Sequence, residues 1–127
     1  MTRFVLDASA LLAVVREEPG AAIVMDHMAG ALMSAVNASE AIMRGVENGF
    51  PFDVLRSLII YRQIDVVPFD WELAQATATL RPATKHLGLS LADRACLALA
   101  VREGATVLTA DRVWSKLDLP CQIDVIR

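Results

Sequence analysis

Short apolar runs, too brief for helices, alternate with segments of helical period along this whole chain, and few folds tolerate that pattern. Arg3–Leu6, Ala31–Ala35, Ile64–Val67, Thr106–Leu108 and Ile123–Ile126 read as strands. Between them, Ser9–Glu18 reads as a helix ended by Pro19-Gly20, Gly20–Gly30 as a second, and Val36–Asn48 as a third, stopped by Gly49 and Pro51. Pro51–Arg62 carries Phe52, Leu55, Leu58 and Ile59 along one helical face. Asp70 to His86 is helical with Pro82 bending or splitting it, Ser90–Glu103 is the clearest helix, ended by Gly104, and Asp111–Leu117 forms a short one. Strands alternating with helices predict an α/β fold: a three-layer domain with a central, mostly parallel sheet of about five strands flanked by helices. In such sheets ligands bind beyond the carboxyl ends of the strands, so the polar residues there come first.

The 127 residues make one domain, spanning 1–127, long enough to bury a core. With 55% hydrophobic and 21% charged residues, disorder is excluded. No apolar run is long enough to span a membrane: Asp7 interrupts Phe4–Val15, Asp26 and His27 interrupt Ala21–Val36, and Asp93 and Arg94 interrupt Leu89–Val101. A cytoplasmic protein is the expectation. Cys96 and Cys121 lack metal or redox spacing and read as reduced core residues, and His27 and His86 as structural or surface ones. A net charge of −3 argues against sequence-independent coating of DNA, but a site built of carboxylates is itself negative.

Four acids fall where such a sheet would gather them. Asp7 follows the first strand and Asp111 a later one, whereas Glu40 and Asp93 each sit one turn into a helix. Each also has a local explanation. Asn37-x-x-Glu40 has the spacing of a capping box and Ser90-x-x-Asp93 nearly so, Asp111 can cap the helix it opens, and acids favour helix N-termini by about 0.3–1 kcal/mol. Gathering them is another matter, because like charges 4 Å apart repel by about 4 kcal/mol at an effective dielectric of 20. A cation or protons must neutralise the cluster, and an all-oxygen set suits Mg²⁺ or Mn²⁺.

V-L-D-A-S-A-L at Val5–Leu11, S-A-V-N-A-S-E-A at Ser34–Ala41, G-L-S-L-A-D-R-A-C-L-A-L-A at Gly88–Ala100 and T-V-L-T-A-D at Thr106–Asp111 together resemble the PIN domain. Their order and spacing are similar to those of VapC-type toxin ribonucleases from type II (VapBC) toxin–antitoxin systems. The resemblance covers essentially the whole chain. It implies catalytic acids at Asp7, Glu40, Asp93 and Asp111, with Asp7, Asp93 and Asp111 as the Mg²⁺ or Mn²⁺ ligands. Ser9 and Thr109 match the hydroxyl positions beside the first and last acids, as supports of the site or as turn caps. Where some relatives carry a further acid, this chain has Trp114 and Ser115, which leaves the number of metals open.

The implied reaction is hydrolysis of an RNA phosphodiester by a metal-activated water, with Glu40 orienting that water or accepting its proton. Arg94, Arg112 and Lys116 are candidates to hold the RNA backbone, or are solvated charges that balance the acids. The resemblance also implies a homodimer and a VapB-like antitoxin. Leu11, Leu12 and Val15, and Leu55, Leu58, Ile59 and Tyr61, are the candidate docking residues, with core packing the commoner reason for such stripes. The rival readings are an inactive PIN-fold interaction module and a haloacid-dehalogenase-like phosphatase. The latter wants a second acid where Ser9 stands. A receiver domain lacks its paired acids here, and the chain has no room for elements that thread DNA flaps.

Overall fold

The computed structural model describes residues 2–127. Five strands, β1 (Phe4–Leu6), β2 (Leu32–Ser34), β3 (Asp65–Val67), β4 (Thr106–Thr109) and β5 (Ile123–Val125), pair in the order β3-β2-β1-β4-β5. Every pairing is parallel, so the sheet is wholly rather than mostly parallel. The chain steps outward from β1 to β2 and β3, then crosses back to lay β4 on the other side of β1. The strand order therefore reverses between β1 and β4, the position where such sheets open a crevice.

Both faces of the sheet carry helices, which explains why the inner strands β1, β2 and β4 read as short, largely apolar runs, whereas the edge strands β3 and β5 carry the exposed Asp65 and Asp124. Leu6, Met33 and Leu108 point to one face. They pack with residues of α1 (Ala8–Val15), α2 (Ala21–His27), α3 (Ala35–Glu47) and α4 (Phe52–Tyr61). Their strand neighbours Val5, Leu32 and Val107 point to the other face, where α5 (Trp71–Thr79), α7 (Leu91–Glu103) and the 3-10 turn Arg112–Lys116 bring Leu73, Leu97, Leu99 and Trp114. This is the expected three-layer α/β architecture. Pro82 does split the segment after β3: α5 ends at Thr79, a four-residue helix α6 (Arg81–Thr84) begins with the proline in its first turn, and the 3-10 turn Lys85–Leu87 follows. No described helix is long and apolar enough to cross a membrane.

One local expectation fails. Helix α3 starts at Ala35, and Ser34, the last residue of β2, is its cap, accepting from Val36 N at 3.2 Å. Asn37 and Glu40 therefore lie inside the helix and form no capping box. Ser34 serves both elements, so no loop residue separates strand from helix.

Gly20, at the cap of α2, has φ +95°, and a Cβ there would stand 2.6 Å from the carbonyl oxygen of Ile126 and 2.7 Å from its Cγ1. Gly20→Ala combines left-handed backbone strain with overpacking and is expected to cost about 2–4 kcal/mol. A shift of that size in the urea midpoint is the check. A change below about 0.5 kcal/mol, the ordinary range for surface sites, means that the segment after β5 is not docked here.

Candidate active site

Asp7 follows β1 and begins α1, and its carboxylate is the best-held polar group in the molecule. It is only 5% exposed. Oδ1 accepts from Ser9 Oγ at 2.7 Å and from Ala10 N at 2.9 Å, and Oδ2 accepts from Thr109 Oγ1 at 2.6 Å. The two hydroxyls lie 3.3 Å apart. Each also accepts a backbone N–H beyond β4: Ala110 N reaches Ser9 Oγ at 2.9 Å and Asp111 N reaches Thr109 Oγ1 at 3.1 Å. A polar network thus joins the carboxyl ends of β1 and β4 at the reversal of strand order. Ser9 and Thr109 thus both bond Asp7, which is also the cap of α1.

Burial nonetheless dominates the electrostatics. It raises the Asp7 carboxyl from 3.8 to about 6 against the lowering effect of Thr109, Ser9 and Ala10, and the charge of Asp93 adds to the rise. Asp93 lies in the first turn of α7, where Ser90 Oγ accepts from Asp93 N at 3.2 Å and Asp93 Oδ2 accepts from Ser90 N at 3.0 Å. The capping box forms, and it leaves Oδ1 of Asp93 uncommitted among the described contacts. The buried Cys96 thiol, one helical turn beyond Asp93, is pushed up by burial and then by the charges of Asp7, Asp93 and Glu40. Asp7, Asp93 and Glu40 therefore share one neighbourhood.

Asp111 stands at the rim. It is exposed, its Oδ1 accepts from Val113 N at 3.1 Å to cap the 3-10 turn, and Thr109 ties its backbone to the network. Among the described residues, no three His, Cys, Asp or Glu side chains form a ready cage for a metal ion. The donors still fit a hydrated Mg²⁺ or Mn²⁺, which takes one or two carboxylates and keeps most of its waters. A buried carboxylate raised by its own burial and by a second carboxylate is the kind of site a cation stabilises.

The basic candidates separate. Arg94 Nη1 donates to the Thr77 carbonyl of α5 at 3.2 Å, and its Nε is buried without a partner, so this side chain braces two helices. Arg112 and Lys116 are exposed beside Asp111, with Arg112 Nε donating to the Arg127 carbonyl at 3.1 Å. Of the apolar candidates, Leu11, Leu12, Leu55 and Ile59 are core. Val15, Leu58 and Tyr61, with Val14, Phe50 and Val54, line an open groove of about 280 Å³ where α1 and α4 meet. Cys96 and Cys121 are free thiols, buried and half-buried. His27 stacks on Phe4 with ring centroids 4.1 Å apart, and His86 is exposed.

Sequence reasoning did not single out Asn37 as a functional residue. It is buried beside the acids, and its Nδ2 donates to the Ala92 carbonyl at 2.9 Å. The signal was present: Asn37, Ala41 and Gly45 recur every four residues on the buried stripe of α3, so a polar side chain stands on an apolar face.

Fold and site together define a doubly covered parallel α/β domain with acidic residues gathered near the carboxyl ends of β1 and β4. The PIN domain model matches residues 4–119, and the chain belongs to the PIN domain family. Solved structures share the fold at low identity. A toxin–antitoxin complex from Klebsiella pneumoniae superposes with a TM-score of 0.73 at 15% identity over 94% of this chain and 98% of that one. DNA-bound VapBC from Salmonella typhimurium gives 0.71 at 17% identity over 98% of each. VapBC-5 from Mycobacterium tuberculosis, a member of the VapBC family of toxin–antitoxin systems, gives 0.62 at 22% over 100% and 99%. No curated protein sequence matches the chain.

Proposed function

We propose that this chain is a metal-dependent endoribonuclease, the VapC-type toxin of a toxin–antitoxin pair, acting in the cytoplasm. The observation that carries the reading is Asp7: a carboxylate almost wholly buried, gripped by three donors, and set beside a second carboxylate at the reversal of strand order. A helix cap alone does not require a carboxylate to be buried this deeply and tied to the far end of β4.

Asp7 and Asp93 are the residues that would hold Mg²⁺ or Mn²⁺, with Asp111 contributing directly or through a bound water. The cation supplies polarisation of the phosphate and a lowered pKa for a bound water. The rest falls to the chain itself. Ser9 and Thr109 fix both oxygens of Asp7, so the carboxylate keeps one orientation. Glu40, half-buried one turn further along α3 than Asn37, orients the attacking water or takes its proton. In-line attack by water that breaks the P–O3′ bond, with the 3′-oxygen leaving and taking a proton, yields a 5′-phosphate and a 3′-hydroxyl. Arg112 and Lys116, both exposed and close in the chain to Asp111, would meet the RNA backbone.

An antitoxin partner is supported by the apolar groove between α1 and α4, where Tyr61 is 82% exposed, and by fold relatives that are themselves toxin–antitoxin complexes. The reading includes a homodimer, which sedimentation tests directly.

The deciding experiment incubates the purified chain, free of any partner, with mixed structured and single-stranded RNAs in Mg²⁺, Mn²⁺ or EDTA. Metal-dependent cuts with 5′-phosphate ends, lost in Asp93→Asn, are expected. Cleavage that survives EDTA overturns the mechanism. Absence of both cleavage and any metal effect on melting favours an interaction module that keeps the fold without the chemistry.

A further inference from the structure

Asn37 is a poor choice for stability alone. It is 1% exposed, its Nδ2 makes one hydrogen bond to the Ala92 carbonyl, and its Oδ1 is buried with no partner. A buried amide left half-satisfied is a cost that an apolar side chain fitting the same space would avoid. The Ala92 carbonyl lies inside α7, where the helical ladder already offers it a donor. Neither partner needs the bond to satisfy its backbone.

What the bond does is geometric. Asn37 stands one turn before Glu40 on α3, and Ala92 stands one residue before Asp93 on α7. No other side-chain hydrogen bond among the described residues ties α3 to α7. We infer that Asn37 is a positioning residue: it locks the first turn of α3 to that of α7 and so sets Glu40 and Asp93 at the separation the reaction needs. The inference deepens the nuclease reading above and rests on it. It assigns the buried amide to catalytic geometry rather than to the core.

The size of the stability effect separates this role from a structural one. Asn37→Thr, of about the same volume but too short to reach the Ala92 carbonyl, replaces the unpartnered oxygen with a hydroxyl that can donate to the backbone carbonyl one turn back, so its melting temperature stays close to that of the natural chain. Its kcat falls by about 10- to 100-fold, the scale expected when reacting groups slip by an ångström, while KM for RNA changes less than about twofold. Asn37→Ala, which keeps the helix but cannot reach Ala92, lowers kcat alike. Mn²⁺ binding followed by electron paramagnetic resonance without RNA weakens severalfold in both, because Asp93 is no longer held in register with Asp7. A kcat within twofold of the natural chain in either folded variant overturns the proposal. So does a kcat loss matched by an equal loss of folded protein. If the natural chain itself neither binds Mn²⁺ nor cleaves, the nuclease reading fails first and this inference falls with it.

Discussion

Asp7→Asn is expected to abolish metal-dependent cleavage, by at least about 10³-fold in kcat, and at the same time to make the metal-free protein more stable at neutral pH. The second half follows from burial. The Asp7 carboxyl is raised from 3.8 to about 6, mainly by burial, which corresponds to about 3 kcal/mol held against the folded state once the group is ionised. Between 3.8 and about 6 the folded chain keeps a proton that the unfolded chain has released. Stability from this group is therefore complete below pH 3.8 and is lost as pH rises through about 6. The asparagine carries no charge to desolvate, and Ser9 and Thr109, as hydroxyls, can turn to accept from its amide. Its melting temperature should exceed that of the natural chain by roughly 5–10 °C at pH 7.5 and by little at pH 4. Saturating Mn²⁺ should close the gap by stabilising only the natural chain. Scanning calorimetry at the two pH values checks this, and a variant less stable at pH 7.5 would show that the buried carboxylate is not a burden on the fold.

Thr109→Val gives the second large effect, through pH rather than through loss of a ligand. Thr109 is the foremost of the hydrogen bonds that lower the Asp7 carboxyl. A hydrogen bond to a charged group contributes about 1.5–3 kcal/mol. Without it Asp7 holds its proton to higher pH, and proton and metal compete for the same oxygens. Mn²⁺ affinity at pH 6 should fall by about 10- to 100-fold, the equivalent of that energy. The loss should shrink as pH rises, because the carboxylate is then ionised in both proteins. The rising limb of kcat/KM against pH should move alkaline in step. A loss of affinity that is the same at every pH would mean that Thr109 acts by shaping the site and not by holding Asp7 ionised.

The inner strands were legible because both of their faces are buried, so β1, β2 and β4 read as short, largely apolar runs; the edge strands β3 and β5 are partly exposed and carry Asp65 and Asp124. Many boundaries differed by a residue, as where Ser34 ends β2 and caps α3, but the first two helices stop at Val15 and His27, three residues short of the expected Glu18 and Gly30. The acids were legible from their positions after strands and in first helical turns. Their environments were not. That Asp7 is gripped by Thr109 depends on β1 lying against β4, a pairing of residues about a hundred positions apart that no local spacing reports. Arg94 shows the same limit: beside Asp93 in the chain it looked free for RNA, and in the fold it is drawn to the Thr77 carbonyl. Leu11 and Leu55 were offered as docking residues because helical periodicity marks a buried face without saying what buries it.

The pairing of β1 with β4 also sets when the crevice exists. Asp7 is made well before Thr109, whose hydroxyl holds its second oxygen, and Asp93, which come about ninety to a hundred residues later. A growing chain that already carries the leading acid has no site until β4 has emerged and slotted in beside β1. Synthesis halted short of Thr106 yields a fragment with Asp7, Glu40 and Asp93 all present and nothing to bring the ends of β1 and β4 together. For a chain proposed to cut RNA, a nascent copy cannot cut the messenger it is being read from until the stretch encoding β4 has passed.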